Sequence, residues 1–276
     1  FALIATPGPF AAAEALKSVR LGLNVMMFSD NVPIEDEIAL KVEADQAGLM
    51  VMGPDCGTAI IDGAPLGFAN VVQRGSIGII AASGTGLQQV SCLVDAAGCG
   101  VSQAIGTGGR DLDSRVGGVT TKRALTALGA DPDTKVIVLI SKPPAPDVAK
   151  AVLEHAAATG KPVIACLLGH QRDGAGPSGV SYAATLEEAA HLAVAATGAT
   201  ASAPGELIDA SLPGLNKGRR YLRALYSGGT FCYEALTMLA GTLDAVHSNT
   251  SSVGIQTLND PWTSVAHTVL DLGDDL

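Results

Sequence analysis

Two glycine-rich turns carry the groups best suited to chemistry in this chain: Ser83-Gly-Thr-Gly86 and Gly106-Thr-Gly-Gly-Arg-Asp111, each directly after an apolar run. Small residues let backbone N–H groups approach a guest closely. In the first turn those amides also open a helix, whose dipole favours negative charge. Ser83, Gly84, Thr85 and Gly86 are therefore a candidate cradle for phosphate or a carboxylate, and Gly108, Gly109 and Asp111 are candidates for its second wall. Lys142, in Ser141-Lys-Pro-Pro144, follows another apolar run and projects from the same edge. A later turn, Ser227-Gly-Gly-Thr230, echoes the first and makes Gly228, Gly229 and Thr230 a second candidate anion site.

Such turns need a parallel sheet to hold them, because parallel sheets gather ligands at the carboxyl ends of their strands. The apolar spacing predicts strands over 1–5, 25–28 and 49–51 with helices over 10–21 and 35–47 between them. That is half of a nucleotide-binding sheet, without a strand that carries a glycine fingerprint. A linker from Pro65 to Arg74 leads to a regular alternation: strands 76–82, 101–105, 135–140 and 162–167, helices 87–97, 119–128, 147–158 and 185–196. After a stretch rich in Ala, Thr, Ser, Pro and Gly come a strand over 221–226, a helix over 231–243, a polar irregular segment over 244–264 and a strand over 265–272.

The fold class is thus α/β: a Rossmann-like half over 1–72, a flavodoxin-like doubly wound parallel sheet over 73–198, a linker over 199–220, and the start of a second such domain over 221–276. The opening Phe1-Ala-Leu-Ile-Ala5 reads as the middle of a domain, so the first half is expected to be N-terminally incomplete.

Charge excludes whole classes of function. A formal net charge of −10 gives no basic face for nucleic acid. Anions must then be held by local devices such as helix starts, glycine nests and a few placed cations. Five scattered cysteines without a C-x-x-C pair suit a reducing, cytoplasmic setting and give no metal site. No apolar run is long enough to span a bilayer.

Several motifs together carry a resemblance. Pro7-Gly-Pro-Phe-Ala-Ala-Ala13, Gly53-Pro-Asp-Cys-Gly57, Ile77-Gly-Ile-Ile-Ala-Ala-Ser-Gly-Thr85 and Gly106-Thr-Gly-Gly-Arg-Asp111 resemble the α subunit of succinyl-CoA synthetase over about residues 1–195. Within that superfamily these blocks, with Ser141-Lys-Pro-Pro144, Tyr226-Ser-Gly-Gly-Thr230 and Leu270-Asp-Leu-Gly-Asp-Asp275, look like the FdrA family. The resemblance implies a CoA-binding-type domain, a ligase-CoA domain and the start of a second ligase-CoA-like half. It also implies that two helix starts face one another.

The sequence departs from the synthetase pattern where the chemistry lies. The phosphohistidine motif is replaced by Gly169-His-Gln-Arg-Asp-Gly-Ala-Gly176, in which His170 sits early, and a synthetase glutamate gives way to Ser141-Lys142. Exchanging a carboxylate for a lysine favours a free anion. FdrA resemblance implies a subunit of a carbamoyltransferase complex in ureide breakdown, which splits oxalurate with phosphate into oxamate and carbamoyl phosphate. Lys142 and Arg110 would then stabilise charge on the attacked carbonyl oxygen. No cofactor is required, phosphate or carbamoyl phosphate is the ligand, and CoA stays open.

The expected partners are small anionic substrates, further complex subunits or a second copy. The alternatives are an ADP-forming acyl-CoA synthetase and a non-catalytic CoA- or metabolite-binding scaffold. Cys56 reads as a buried small hydrophobe, Asp55 as a turn residue and Asp274-Asp275 as solvated. Arg110 and Asp111 can also pair with each other and simply shape their loop.

Overall fold

The computed structural model describes residues 1–170, 176–199 and 218–273. The chain forms two compact units, residues 1–200 and 201–276.

The first unit opens with repeated βα steps. β1 (Ala2–Ile4) leads into α1 (Gly8–Arg20), β2 (Val25–Met27) into α2 (Ile34–Gln46), and β3 (Val51–Met52) completes a parallel sheet of order β1-β2-β3. Proline in the first turn of α1 loses no hydrogen bond there. Ala11, Ala15 and Val19, one turn apart, are buried in one core with Val25, Met27 and Val51. Leu40 and Ala44 of α2 join them, and Glu35, Asp36 and Glu37 lie at the positive end of that helix.

An antiparallel hairpin follows, β4 (Thr58–Ile61) and β5 (Ala64–Gly67). Asp62 and Gly63 turn it with φ of 51° and 81°, the left-handed pair that a tight hairpin turn needs. The expected linker at 65–74 and boundary at 72 are corrected here. The hairpin hydrogen-bonds to the second sheet through Ile60 and Ala104, and Pro65 is tolerated because β5 is an edge strand.

That second sheet is built from β6 (Arg74–Ala81), α3 (Gly84–Ala96), β7 (Val101–Gly106), α4 (Val119–Ala130), β8 (Val136–Ser141), α5 (Pro146–Ala157), β9 (Val163–Leu167), β10 (Val180–Tyr182) and α6 (Leu186–Ala196). Its seven strands run in the order β10-β9-β8-β6-β7-β4-β5, parallel from β10 to β7. Ile77, Ile79 and Ile80 of β6 and every residue of β8 are buried, as central strands covered on both faces require. The chain moves from β6 to β7 on one side and then returns to β8 on the other. The strand order therefore reverses between β6 and β8, and an open sheet of this kind has its crevice there.

The second unit has β11 (Arg223–Tyr226), α7 (Gly229–Ala240), β12 (Val246–Ser248), β13 (Gln256–Thr257) and β14 (His267–Asp271) in a parallel sheet of order β11-β14-β12-β13. Cys232, Leu236, Val246 and Val269 are its core. The segment 244–264, expected to be irregular, contains β12 and β13, of three and two residues, too short to show a period. Both units are α/β with parallel sheets, the class the alternation predicts.

A candidate anion site at the carboxyl edge of the sheet

The strand exits are tied together by backbone hydrogen bonds. Ala82 N donates to Ile140 O at 3.0 Å, Thr107 N to Ala81 O at 2.9 Å and Leu168 N to Ser141 O at 2.9 Å. The turn after β6 and Ser141-Lys142 after β8 consequently flank the crevice. Ser83 is the N-cap of α3, its hydroxyl oxygen accepting from Gly86 N at 3.0 Å. One amide of the helix start is thereby used, while Gly84 and Thr85 remain exposed. Gly86 must be glycine, since a Cβ there would lie 2.9 Å from both Ile140 Cγ2 and Ser83 Oγ. Lys142 is half-buried, and among the described residues its ammonium makes no hydrogen bond or ion pair. Nearby, the wholly buried Thr107 hydroxyl has no hydrogen-bond partner among the described residues.

Arg110 and Asp111 do not pair with each other; each pairs with α2. Asp111 accepts from Lys41 Nζ at 2.7 Å, Thr120 N at 3.2 Å, Thr121 N at 2.9 Å and Thr121 Oγ1 at 2.6 Å. It thus caps α4, whose own cap position is Gly118 without a side chain. Lys41 also donates to Thr107 O and lies 2.9 Å from Glu37. Arg110 Nη2 lies 2.9 Å from Glu37 and donates to Val32 O at 2.7 Å. Both Glu37 oxygens lack a well-directed hydrogen bond despite these short approaches, so charge rather than directed bonding holds Glu37. Asp111, expected at the anion wall, is entirely consumed inside the fold.

The loop 53–57 packs against the loop 106–109 through glycines. A Cβ on Gly108 (φ +90°) would lie 2.4 Å from Pro54 O, and one on Gly106 2.7 Å from Cys56 Sγ. Asp55 takes the left-handed φ of 57°, with its N–H donated to Ser29 O. The residue is exposed overall, while its carboxyl is partly buried. Partial burial, then the Asp30 charge, push its pKa above the usual carboxylate value, against a weaker pull from Lys142 and Arg110. Sequence reasoning reduced Asp55 to a turn residue. The signal it lacked was the convergence of Asp30, Arg110 and Lys142 from three other loops. Cys56 is buried, and burial pushes its thiol up to about 12, which makes it no nucleophile.

A cleft of about 480 Å³ opens at the carboxyl ends of β1 and β2, lined in part by Thr6, Phe28, Ser29, Asp30, Asp55 and Phe68. Phe28 and Phe68 meet edge to face at 5.2 Å between centroids. His170 lies in the turn after β9, and the rest of its motif, 171–175, falls outside the described residues, as do Asp274 and Asp275. In the second unit α7 starts after Gly228, with Gly229 and Thr230 buried. The exits of β11 and β14 lie side by side there, so a Cβ on Gly273 would reach within 3.0 Å of Gly228 N. Among the described residues no His, Cys, Asp and Glu cluster could hold a metal ion, and no helix is long and apolar enough to cross a membrane.

Known proteins resemble this chain at four points. Residues 72–169 match the CoA binding domain, a stretch within the second sheet rather than the first. The chain is 46% identical over 282 residues to the uncharacterized protein YahF of Escherichia coli, covering 99% of this chain and 54% of that one. It is 30% identical over 175 residues to a mitochondrial succinate–CoA ligase (ADP-forming) subunit alpha-2 of Trichomonas vaginalis, covering 60% of this chain and 55% of that one. The chain spans about half the length of the curated relatives it matches. The apo acetyl-coenzyme A synthetase 1 of Ca. Korarchaeum cryptofilum shares the fold, with a TM-score of 0.54 at 17% identity over 88% of this chain and 55% of that one. The chain is thus similar to the α subunits of succinate–CoA ligases and related to ADP-forming CoA ligases.

Proposed function

We propose that this chain is an FdrA-type subunit of a carbamoyltransferase that splits oxalurate with phosphate into oxamate and carbamoyl phosphate. The observation that carries this reading is the Lys142 ammonium, unpaired among the described residues, across the crevice from the open end of α3 at Gly84 and Thr85. Phosphate rests on the helix start. One of its oxygens attacks the ureido carbonyl carbon, the carbon–nitrogen bond to the oxamate nitrogen breaks, and that nitrogen takes the proton the attacking phosphate gives up. Lys142 meets the charge that builds on the carbonyl oxygen. Arg110 is a weaker candidate, because Glu37 and Val32 O already hold it. The test is phosphate-dependent release of carbamoyl phosphate from oxalurate, with calorimetric titration of phosphate. Lys142→Ala should cut turnover roughly a hundredfold if its role is that of one oxyanion donor. Unchanged turnover removes Lys142 from the mechanism.

The Phe28/Phe68 cleft favours a second reading, a subunit of an ADP-forming CoA ligase. Its aromatic walls suit the neutral arm of CoA, whereas its two ionisable lining residues, Asp30 and Asp55, are acids and do not suit the phosphates. Those phosphates would need residues outside the cleft. Tight CoA binding without phosphate binding in the same titration would favour this reading over carbamoyl transfer.

A further inference from the structure

Asp55 is the residue the cleft and the crevice share. It lines the 480 Å³ cleft beside Asp30, and its carboxyl feels Lys142 and Arg110 on the crevice side. Its backbone is held from two directions. The N–H is fixed to Ser29 O at 2.9 Å, and the Gly53 and Gly108 backbones interlock beneath it. Gly109 leaves room for the side chain, since a Cβ there would sit 3.4 Å from Asp55 Oδ2. No hydrogen bond to the Asp55 carboxyl is made among the described residues. A carboxylate on a fixed backbone, with another acid in the same cleft, favours a guest that offers N–H groups and disfavours a second anion.

We infer that Asp55 selects the ligand, its carboxylate accepting from an amide or ureido N–H whose adjoining carbonyl oxygen lies at Lys142. This rests on the reading that places phosphate at the start of α3 and the substrate's carbonyl oxygen at Lys142. It adds the residue that reads the adjoining nitrogen and tells it from oxygen. Oxygen in its place meets repulsion from Asp55, reinforced by Asp30 in the same cleft.

Oxamate and oxalate test this, because they differ only in an amide against a carboxylate. By calorimetry the wild-type chain should bind oxamate roughly tenfold or more tighter than oxalate, the scale of a hydrogen bond to a charged group. Asp55→Asn should bring the ratio near one, since its amide can accept from one ligand and donate to the other. Asparagine tolerates the left-handed backbone, and an unchanged or raised melting temperature checks the fold. The wild-type ratio should also shrink as acid protonates Asp55, which a purely structural role would not produce. If Lys142→Ala weakens both ligands while Asp55→Asn leaves their ratio unmoved, the inference about Asp55 is wrong and the anion site stands. If neither ligand binds the wild-type chain, the anion site itself is wrong and the inference goes with it.

Discussion

Lys41 Nζ lies 2.7 Å from Asp111 Oδ1, with neither side chain more than 1% exposed. The pair joins α2 of the first sheet to the loop that follows β7 in the second, and Thr120 Oγ1 on α4 adds a 2.7 Å hydrogen bond to Val51 O of β3. The glycine loop is therefore positioned from the first sheet as much as from its own strand. Replacing Lys41 by Met keeps the length of the stem but leaves Asp111 and Glu37 buried without their shared cation. The expected cost is about 3–5 kcal/mol, read as a fall in the urea unfolding midpoint. A loss below about 1 kcal/mol would show that the network is not holding the sheets together.

The raised pKa of Asp55 makes a prediction of definite sign. Between the ordinary carboxylate value of 3.8 and its raised folded value, the folded state binds the proton more tightly than the unfolded state. Stability from this group therefore falls as pH rises through that window and stays lower above it. Asp55→Asn removes the effect, so the variant should be the more stable protein near neutrality, and the advantage should vanish below the window. Urea midpoints from about pH 3 to about pH 8 measure it. An advantage that is constant with pH would point to packing instead of charge.

Cys56 should resist alkylation in the folded chain. With a thiol pKa near 12, only about one molecule in ten thousand carries the thiolate at pH 8, and the sulfur is enclosed near Gly106 O and Thr58 O. Iodoacetamide followed by peptide mapping should label the half-buried Cys92 and Cys99 first and reach Cys56 only after unfolding. Early labelling of Cys56 would mean that the loop 53–57 opens in solution.

The βα alternation was legible in the sequence because apolar runs such as Ile77 to Ala81 and Val136 to Ile140 are bounded by glycine, serine or proline, and the glycine turns fall at their ends. The hairpin was missed although Asp62-Gly63 is a strong hairpin signal, because Pro65 and Gly67 beside it resemble a linker. Glu37 and Lys41 were missed for a different reason. Four residues apart on a charged helix, they look like an ordinary surface pair. Only the packing of α2 against the α4 side of the second sheet buries them, and no local pattern encodes that. Asp111 and Arg110 read as able to pair with each other, but their partners lie 70 and 73 positions away, at Lys41 and Glu37.

Two glycines of the candidate site should respond oppositely to alanine. Gly108 has φ +90° and no room, a Cβ lying 2.4 Å from Pro54 O, so Gly108→Ala should cost roughly 2–5 kcal/mol from backbone strain and overpacking together. Gly84 is exposed, and a Cβ there would meet only Thr58 Oγ1, at an ordinary 3.4 Å. Gly84→Ala should therefore keep stability within about 1 kcal/mol of wild type, helped by the helix propensity of alanine. It nevertheless puts a methyl group at the open amides, so phosphate affinity should drop while the melting temperature holds. If affinity is untouched in a folded Gly84→Ala protein, phosphate does not sit at the start of α3, and the attack whose charge Lys142 was assigned to meet has no nucleophile there.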